Sequence, residues 1–337
     1  MTGFFVNVLT HINNVVGNYG WSIVLFTLLI RLVLLPLDIK SKKSMRAMSK
    51  IQPKVQALQK KYANDKEKLN QKTMELYRKE HVSPTAGCLP MLISLPVLWI
   101  MFSAMRTLGN AYTVQLLLDM KESGKALSVA DLKAAGYSWL WIKNVFQPDS
   151  FAATILPTIT SALSAIRPSS AVAVLTQENI DAAIQYLQSK EYLHLAANLA
   201  PDYAFTFHKF LGMSLFLPTQ FKYVFEYSNG LFILPILAGA SQFLMTKIMN
   251  GKQDKEQKAL QEAQQNDQPQ NNPMSSPLMK WFFPLFSVWI CATSNAAFSI
   301  YWMAANVIQI GQQLAVNWYF ERQDAKNAAA KDISEQQ

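Results

Sequence analysis

Charged residues are scarce in this sequence: they make up 16% of its 337 residues, whereas 50% are hydrophobic. Soluble globular domains carry about 25% charged residues, so this shortage argues against a disordered chain and against a two-domain soluble enzyme. It favours several membrane spans separated by polar stretches. Cysteine is scarce too, because only Cys88 and Cys291 occur, both within apolar runs. Cysteines in such runs are more often packing residues than disulfide partners.

The sequence also lacks the usual catalytic patterns. It has no Walker A motif and no G-x-S-x-G motif, and its apolar runs hold essentially no Asp or Glu. Proton-coupled pumps use acidic residues inside their spans, so that class is disfavoured. The four histidines show no metal-ligand spacing: His11, His81, His194 and His208. We therefore expect no catalytic residue, no metal site, no cofactor and no enzymatic activity.

Five apolar runs approach the length of a membrane span, which needs about 20 residues. The predicted transmembrane helices are residues 20–38, 88–106, 231–249, 278–297 and 299–320, the last two joined by a tight turn near Asn295. A sixth run, residues 151–166, contains Pro157 and several Ser and Thr, and it is predicted to form a short interfacial or re-entrant helix. Residues 1–18 carry apolar side chains at helical spacing, which predicts an amphipathic helix lying on the membrane.

Positive charge is concentrated in one segment, and this predicts the orientation of the chain. Residues 40–82 hold 13 Lys and Arg and four acidic residues. The net charge of this segment therefore equals the formal net charge of the whole chain, +9. Loops rich in Lys and Arg stay in the cytoplasm. The predicted external segments are therefore residues 1–19 and the long loop 107–230, which includes a mostly helical insertion at 171–207. The predicted cytoplasmic segments are residues 39–84, the Gln-rich loop 250–277 and the tail 321–337.

The basic segment has a helical pattern of its own. Apolar residues recur at spacings of three and four from residue 45 to residue 62, where Pro53 is expected to kink or restart the helix. Asn64, with Glu67 three residues later, is predicted to cap a second helix, and Ser83-Pro84 to end it. This predicts an antiparallel helical hairpin. A solvated positive loop is the alternative, but it leaves the apolar stripe without a partner surface.

Arg31 is the most informative single residue, because it lies in the middle of the first predicted span. An arginine at the centre of a bilayer costs about 2.5–3.5 kcal/mol on insertion scales, so it normally faces a protein interior or a water-filled cavity. Alternatively, Arg31 extends to the inner surface, where Asp38 is a candidate partner. Gln242 and Asn306, in the third and fifth spans, are the best candidates to line a wet cavity with Arg31. Ser and Thr in spans more often join helices to each other.

Several motifs follow one another along the chain in a fixed order. They run from Asn18-Tyr19-Gly20-Trp21 through Ile30-Arg31-Leu32, Leu35-Pro36-Leu37, Gly87-Cys88-Leu89-Pro90 and Ile233-Leu234-Pro235 to Tyr301-Trp302 and Asn306. In order and spacing, this series resembles the YidC family of membrane protein insertases over more than half of the chain. The long loop 107–230 and the turn Ser294-Asn295-Ala296-Ala297, where the family usually has a Pro-Ala-Gly-like element, depart from the family pattern.

The resemblance implies an all-α membrane protein with five transmembrane helices around a hydrophilic groove and a cytoplasmic antiparallel helical hairpin. It implies that the groove binds client proteins through Arg31, Thr27, Ser94, Gln242, Trp302 and Asn306. It assigns recruitment of clients or of the ribosome to the hairpin residues Met45, Met48, Val55, Leu58, Lys60 and Lys61.

The function implied is insertion and chaperoning of membrane proteins in the cell membrane, with the N-terminus outside and the C-terminus in the cytoplasm. The implied partners are nascent membrane proteins and the lipid bilayer; the ribosome and a Sec-type translocon are further candidates, and no nucleic acid sequence recognition is expected. A channel or transporter is an alternative, although the sequence has no internal repeat of the kind many transporters show. A structural assembly subunit of a translocon is another alternative that the sequence leaves open.

Overall fold

Helices account for most of the structure, in agreement with the expected all-α class. In this computed structural model, the described residues are 2–82, 89–125, 128–157, 166–199, 205–210, 213–218, 228–263 and 277–335. The helices are α1 (Thr2–Val16), α2 (Tyr19–Lys61), α3 (Lys66–Lys79), α4 (Leu89–Ser123), α5 (Val129–Ala134), α6 (Gln177–Leu187), α7 (Lys190–Leu199), α8 (Ile233–Ala263), α9 (Pro277–Thr293) and α10 (Ala296–Glu335).

The long loop also contains a β hairpin that the sequence analysis did not predict. Strands β1 (Phe205–Phe210) and β2 (Met213–Pro218) pair antiparallel, with Phe205 opposite Pro218 and Phe210 opposite Met213. The alternation of Phe205 and Phe207 with the polar Thr206 and His208 is a period-two pattern, which is the sequence signal of a strand.

The chain divides into two compact units, and each is described by itself. The first unit comprises Met1–Leu28, Ile100–Gln242 and Trp281–Asn306. The second comprises Leu29–Trp99, Phe243–Lys280 and Val307–Gln337. The long helices α2, α4, α8 and α10 each contribute residues to both units.

Helix α2 joins the first predicted span and the first arm of the predicted hairpin without interruption. It has 43 residues and contains both Pro36 and Pro53. Each proline removes one hydrogen bond of the helix ladder, yet the helix does not restart at Pro53. The bonds of the surrounding turns therefore hold the helix together across both positions.

The second arm, α3, begins one residue later than the sequence pattern suggested. The predicted cap at Asn64 is wrong, because the Asp65 carboxylate accepts the backbone N–H of Lys68 at 3.0 Å. An aspartate is at least as good a cap as an asparagine, and its negative charge also suits a helix N-terminus. The Lys54 ammonium donates to Glu80 Oε1 at 2.6 Å, so the end of α3 returns to the side of α2. This hydrogen bond lowers the pKa of the Glu80 carboxyl from its usual value.

Helix α4 extends well beyond the predicted end of the second span at residue 106. Its C-terminal half forms part of the core of the first unit, where Val114, Leu117 and Met120 are fully buried. Likewise, α8 continues into the predicted Gln-rich loop and α10 continues through most of the predicted tail. Each of these helices continues beyond the apolar run that predicts its span, because hydrophobicity identifies the span and not the end of the helix.

The helix predicted for residues 151–166 is wrong over residues 151–157, which form turns and an isolated bridge between Thr154 and Ser228. The carbonyl of Ile155 accepts a hydrogen bond from the Asn144 side-chain amide at 2.8 Å, which takes that carbonyl out of a helical ladder. Residues 158–165 lie outside the described residues.

Two distant parts of the long loop are joined by a network of buried polar side chains. The Asn229 side-chain amide donates to the carbonyls of Asn144, Gln147 and Pro148 at 2.9, 3.2 and 2.9 Å. The Asp149 carboxylate accepts the backbone N–H groups of Leu231, Phe232 and Leu234 at 2.8, 3.0 and 2.6 Å. Since the first N–H groups of a helix have no partner within it, Asp149 completes the N-terminus of α8 from a distant part of the chain.

Large apolar side chains are exposed along several helices, which is unusual for a protein surface in water. Helix α2 exposes Leu28, Leu29, Leu32 and Val33, and α9 exposes an aromatic face. Among the described residues, Tyr19–Met48 is long and apolar enough to cross a membrane, and Ile233–Ile248 and Trp281–Thr293 are shorter apolar helical stretches. The arrangement of five spans around a groove remains a prediction.

Candidate functional site

Arg31 belongs to the second unit, at the centre of the apolar stretch of α2. Its neighbours Leu32 and Val33 are exposed, whereas Arg31 itself is only half-exposed. The same helix therefore carries one face suited to lipid and another face that holds a cation. A membrane arginine with this placement requires a polar surrounding.

Two further charged residues follow Arg31 on the same helix face. Asp38 and Lys42 lie seven and eleven residues beyond it, close to two and three full turns. All three groups are near enough to interact electrostatically, and Asp38 and Lys42 are both half-buried. In the described part of this unit, the ion pairs are Arg46–Asp324, Lys54–Glu80 and Lys72–Glu75, so Arg31 and Asp38 form no direct contact pair.

Helix α10 supplies amide side chains to this polar face. The Gln312 side-chain amide donates to the backbone carbonyl of Arg31 at 3.2 Å, and that of Gln313 donates to Asn317 Oδ1 at 3.2 Å. The side-chain oxygens of Gln312, Gln313 and Ser41 are buried and have no hydrogen-bond partner among the described residues. A buried polar atom without a partner costs about 1–3 kcal/mol, so these atoms favour a site that water can enter.

The remaining predicted groove residues are distributed between the two units. Thr27, Gln242, Trp302 and Asn306 belong to the first unit, whereas Arg31 and Ser94 belong to the second. Ser94 lies on α4, but its side chain is outside the described part of the structure. That all six residues line one groove therefore remains a prediction.

Within the first unit, the predicted residues differ in what they contact. Thr27 is buried, and its hydroxyl donates to the Ile23 carbonyl of its own helix at 2.6 Å, so this hydrogen bond does not link two helices. Asn306 donates from its side-chain amide to Ser241 Oγ at 3.1 Å and thereby links α10 to α8. Trp302 packs against Phe298 with its ring centroid 5.6 Å away, and its buried indole N–H has no partner among the described residues.

The hairpin residues are divided between buried and exposed positions. Val55 is buried, Met48 and Leu58 are half-buried, and Lys60 and Lys61 are exposed; the side chain of Met45 is outside the described part. Part of the apolar stripe is therefore covered by its own unit, while the lysines point to solvent. Arg46, which lies between Met45 and Met48 in the sequence, pairs with Asp324 and stacks over the Phe320 ring of α10.

Sequence reasoning missed Ser41 and did not assign Gln312 or Gln313 to the site. Gln312 and Gln313 lie on the last predicted span, and amides within an apolar helix are a detectable signal. Ser41 lies just beyond a predicted span end, where a serine is unremarkable.

Comparison with known proteins gives consistent results along the chain. The family model of the 60Kd inner membrane protein matches residues 11–187 and 175–323. The membrane protein insertase YidC of Fusobacterium nucleatum is 38% identical over 161 residues, covering 48% of this chain and 66% of that protein. YidC of Caldanaerobacter subterraneus is 45% identical over 109 residues, covering 32% of this chain and 53% of that protein.

YidC of Legionella pneumophila strain Paris is 50% identical over 97 residues, covering 29% of this chain and 17% of that protein. The aligned parts thus span between 17% and 66% of the lengths of these three relatives.

Proposed function

The chain belongs to the YidC family of 60Kd inner membrane proteins, and from this premise we propose that it inserts other membrane proteins into the cell membrane and assists their folding. The observation that carries the proposal is Arg31: a cation at the centre of an apolar helix, whose backbone carbonyl accepts a hydrogen bond from the Gln312 side chain. The side-chain oxygens of Gln312 and Gln313 are buried and have no partner among the described residues.

The proposed insertion needs no covalent chemistry. A hydrophobic client segment gains free energy when it enters a bilayer, but the polar tail that flanks it must cross an apolar barrier. A wet groove part of the way through the membrane lowers that barrier. Arg31 then attracts an acidic tail, and the attraction is stronger than in water because the effective dielectric constant is lower.

The proposed groove is supported by the buried side-chain oxygens of Gln312, Gln313 and Ser41, which have no partner in the described part of the chain and which water would satisfy. We assign Thr27, Ser94, Gln242, Trp302 and Asn306 to the same groove on the basis of the sequence. The exposed Leu28, Leu29, Leu32 and Val33 on the other side of α2 are suited to lipid contact.

The basic arms of α2 and α3 are proposed to receive clients before insertion. Their exposed lysines suit acidic client segments, lipid headgroups or ribosomal RNA phosphates, all of which are anionic. The ribosome and a Sec-type translocon are proposed partners of this cytoplasmic face. We propose an orientation with the N-terminus outside and the C-terminus inside.

Reconstitution of the pure chain into liposomes tests the function directly. The assay measures protease-protected insertion of a client with one or two spans, and protein-free liposomes serve as the control. We expect protected client only with the chain present. A chain that inserts no client above the control would instead be an assembly subunit, and one that conducts ions or solutes without inserting clients would be a channel or transporter.

A further inference from the structure

The first unit contains a cavity of about 420 Å³ that the proposed insertion mechanism does not use. It lies where α4, the segment after α5, and the turn between α9 and α10 come together. Phe102, Phe146, Trp289 and Phe298 provide apolar walls, and Arg106 and Asn295 provide polar ones. Its volume is within the range of pockets that hold small-molecule ligands, about 300–1,000 Å³.

The walls of this cavity are fixed by specific contacts. The Asn295 side-chain amide approaches the Met105 carbonyl of α4 at 3.4 Å, and Asn295 Oδ1 accepts the Phe298 backbone N–H at 3.0 Å. A Cβ atom on Gly109 would lie 2.7 Å from the Asn295 side-chain nitrogen, so glycine permits this close approach of the turn to α4. Phe102 and Phe298 meet edge to face at 5.1 Å. These contacts hold the walls of the cavity in place.

Arg106 gives the cavity a positive charge. Its side chain is exposed, and it forms no ion pair or hydrogen bond with another described residue. Among the described residues that line the cavity, none is an Asp or Glu that could neutralise it. A guanidinium group binds a phosphate or a carboxylate with two parallel hydrogen bonds, so Arg106 suits an anionic group such as a phosphate.

Trp289 connects the cavity to the exposed apolar face of α9. Its side chain is 61% exposed, and Trp281, Phe282 and Leu285 on the same helix are also exposed. These residues form an aromatic surface suited to lipid. A molecule can therefore reach the apolar part of the cavity from the bilayer and keep its polar end at Arg106.

We propose that this cavity binds an anionic phospholipid, with the lipid phosphate at Arg106 and the first part of one acyl chain among Phe102, Trp289 and Phe298. The combination of a cation that has no partner among the described residues, an aromatic wall and an opening toward an apolar surface fits an amphiphile better than a soluble anion or a peptide. The inference requires that the chain lies in a bilayer, but it does not depend on insertion of clients.

Photo-crosslinking of lipid to the full-length chain in phosphatidylcholine nanodiscs tests this site. The probe is phosphatidylglycerol with a diazirine near the end of one acyl chain, and a phosphatidylcholine probe with the same chain is its counterpart. We expect the phosphatidylglycerol probe to label peptides that contain residues 102–113 and 289–298. Arg106→Gln should reduce that labelling by about tenfold, the size of one charge-assisted interaction.

Matched variants separate charge from shape. Lys121→Gln removes an exposed cation from the same helix and should leave the labelling unchanged. Thr293→Trp places a large side chain at the exposed rim of the cavity and should reduce labelling by both probes. Thermal unfolding of each variant shows that the fold is retained.

Three results would overturn the proposal. One is equal labelling by both probes that Arg106→Gln does not change, which would indicate unselective contact with bulk lipid. Another is complete displacement of the probe by inorganic phosphate, which would show that the acyl chain contributes nothing. The third is crosslinking of a client segment, in place of lipid, to residues 102–113, which would assign the cavity to polypeptide.

Discussion

At the scale of single residues, Arg31 has two physical roles that predict different phenotypes. If it attracts acidic client tails, its charge matters and its effect depends on the client. If it acts mainly through Asp38, which interacts with it electrostatically on the same helix face, its loss weakens the fold and affects all clients alike. The Gln312 contact is made to the Arg31 backbone, so it survives substitution of the side chain.

The first prediction concerns substitutions of Arg31. Arg31→Lys should keep much of the activity, because lysine is also cationic. Arg31→Ala should reduce insertion of a client with an acidic tail on the order of tenfold, corresponding to one charge-assisted contact, and reduce insertion of its neutral-tail version much less. Arg31→Glu should be worst for the acidic tail. The measurement is client insertion in liposomes, corrected for the amount of folded protein.

Lys40→Ala is the matched control for Arg31, because it removes an exposed cation from the same helix. It should leave both client versions almost unaffected. Equal losses for the acidic and neutral tails in Arg31→Ala would contradict charge attraction, and a lower melting temperature in the same variant would favour the role through Asp38.

A second prediction concerns Asp149, a residue that the sequence pattern did not single out. Asp149→Ala leaves three backbone N–H groups at the start of α8 without their acceptor. Loss of a helix cap costs about 0.5–2 kcal/mol, and the cost should lie at the upper end because the residue is fully buried. Thermal unfolding in detergent measures the loss.

Asp119→Asn is the control, since Asp119 is exposed and its partner among the described residues is Gln115 on its own helix. It should change stability by less than about 0.5 kcal/mol. Gly230→Ala provides an independent test, because a Cβ atom there would collide with the Asp149 carboxylate. If the Asp149→Ala and Gly230→Ala variants both have the melting temperature of the unchanged protein, Asp149 does not stabilise the N-terminus of α8.

At the scale of elements, the basic arms of α2 and α3 are the parts whose role is easiest to isolate. Deletion of residues 44–80 should impair client insertion while the remaining helices stay folded, because the ion pair that joins Arg46 to Asp324 is exposed and such pairs contribute only about 0–1 kcal/mol. Liposome insertion and circular dichroism of the same preparation measure the two effects.

Arg46→Ala is the control for this deletion, since it breaks the contact with α10 but keeps both arms. If the deleted form inserts clients normally, the arms are a solvated positive segment that has no role in insertion. Charge reversal at the exposed Lys60, Lys61, Lys66 and Lys68 should weaken binding to anionic vesicles, and the loss should be larger at low salt than at high salt.

The elements show where the sequence is informative and where it is not. The helical class follows from apolar runs and helical spacing, which are local properties. The continuity of α2 through Pro53 and the cap at Asp65 depend on small differences between neighbouring residues. The turns of residues 151–157 depend on the Asn144 side chain, which lies outside that segment, so no local pattern predicts them.

The candidate site shows the same division. Arg31 could be found because a cation in an apolar run is a local signal. The contact of Gln312 with the Arg31 carbonyl joins residues 281 positions apart, and a hydrogen bond within the long loop joins Asn144 to Asn229 across 85 positions. Such contacts are products of packing, which a single sequence does not specify.

At the scale of the whole molecule, the exposed apolar faces require a bilayer, and the distribution of charge predicts how the chain crosses it. Lys60 and Gln261 are predicted inside, and Lys133 and Gln188 outside, because the Lys- and Arg-rich segment stays in the cytoplasm. The side chains of Lys60, Lys133 and Gln188 are exposed, so cysteines at those three positions can react.

The last prediction is therefore made for single cysteines at positions 60, 133, 188 and 261 in a background with Cys88→Ala and Cys291→Ala. A membrane-impermeant maleimide added to intact cells should label positions 133 and 188, whereas positions 60 and 261 should react only after the membrane is opened. Cys291 is buried, so its replacement by alanine is tested by thermal unfolding before any labelling. Labelling of position 60 from outside would reverse the orientation of the basic arms and, with it, the direction in which Arg31 could receive a client tail.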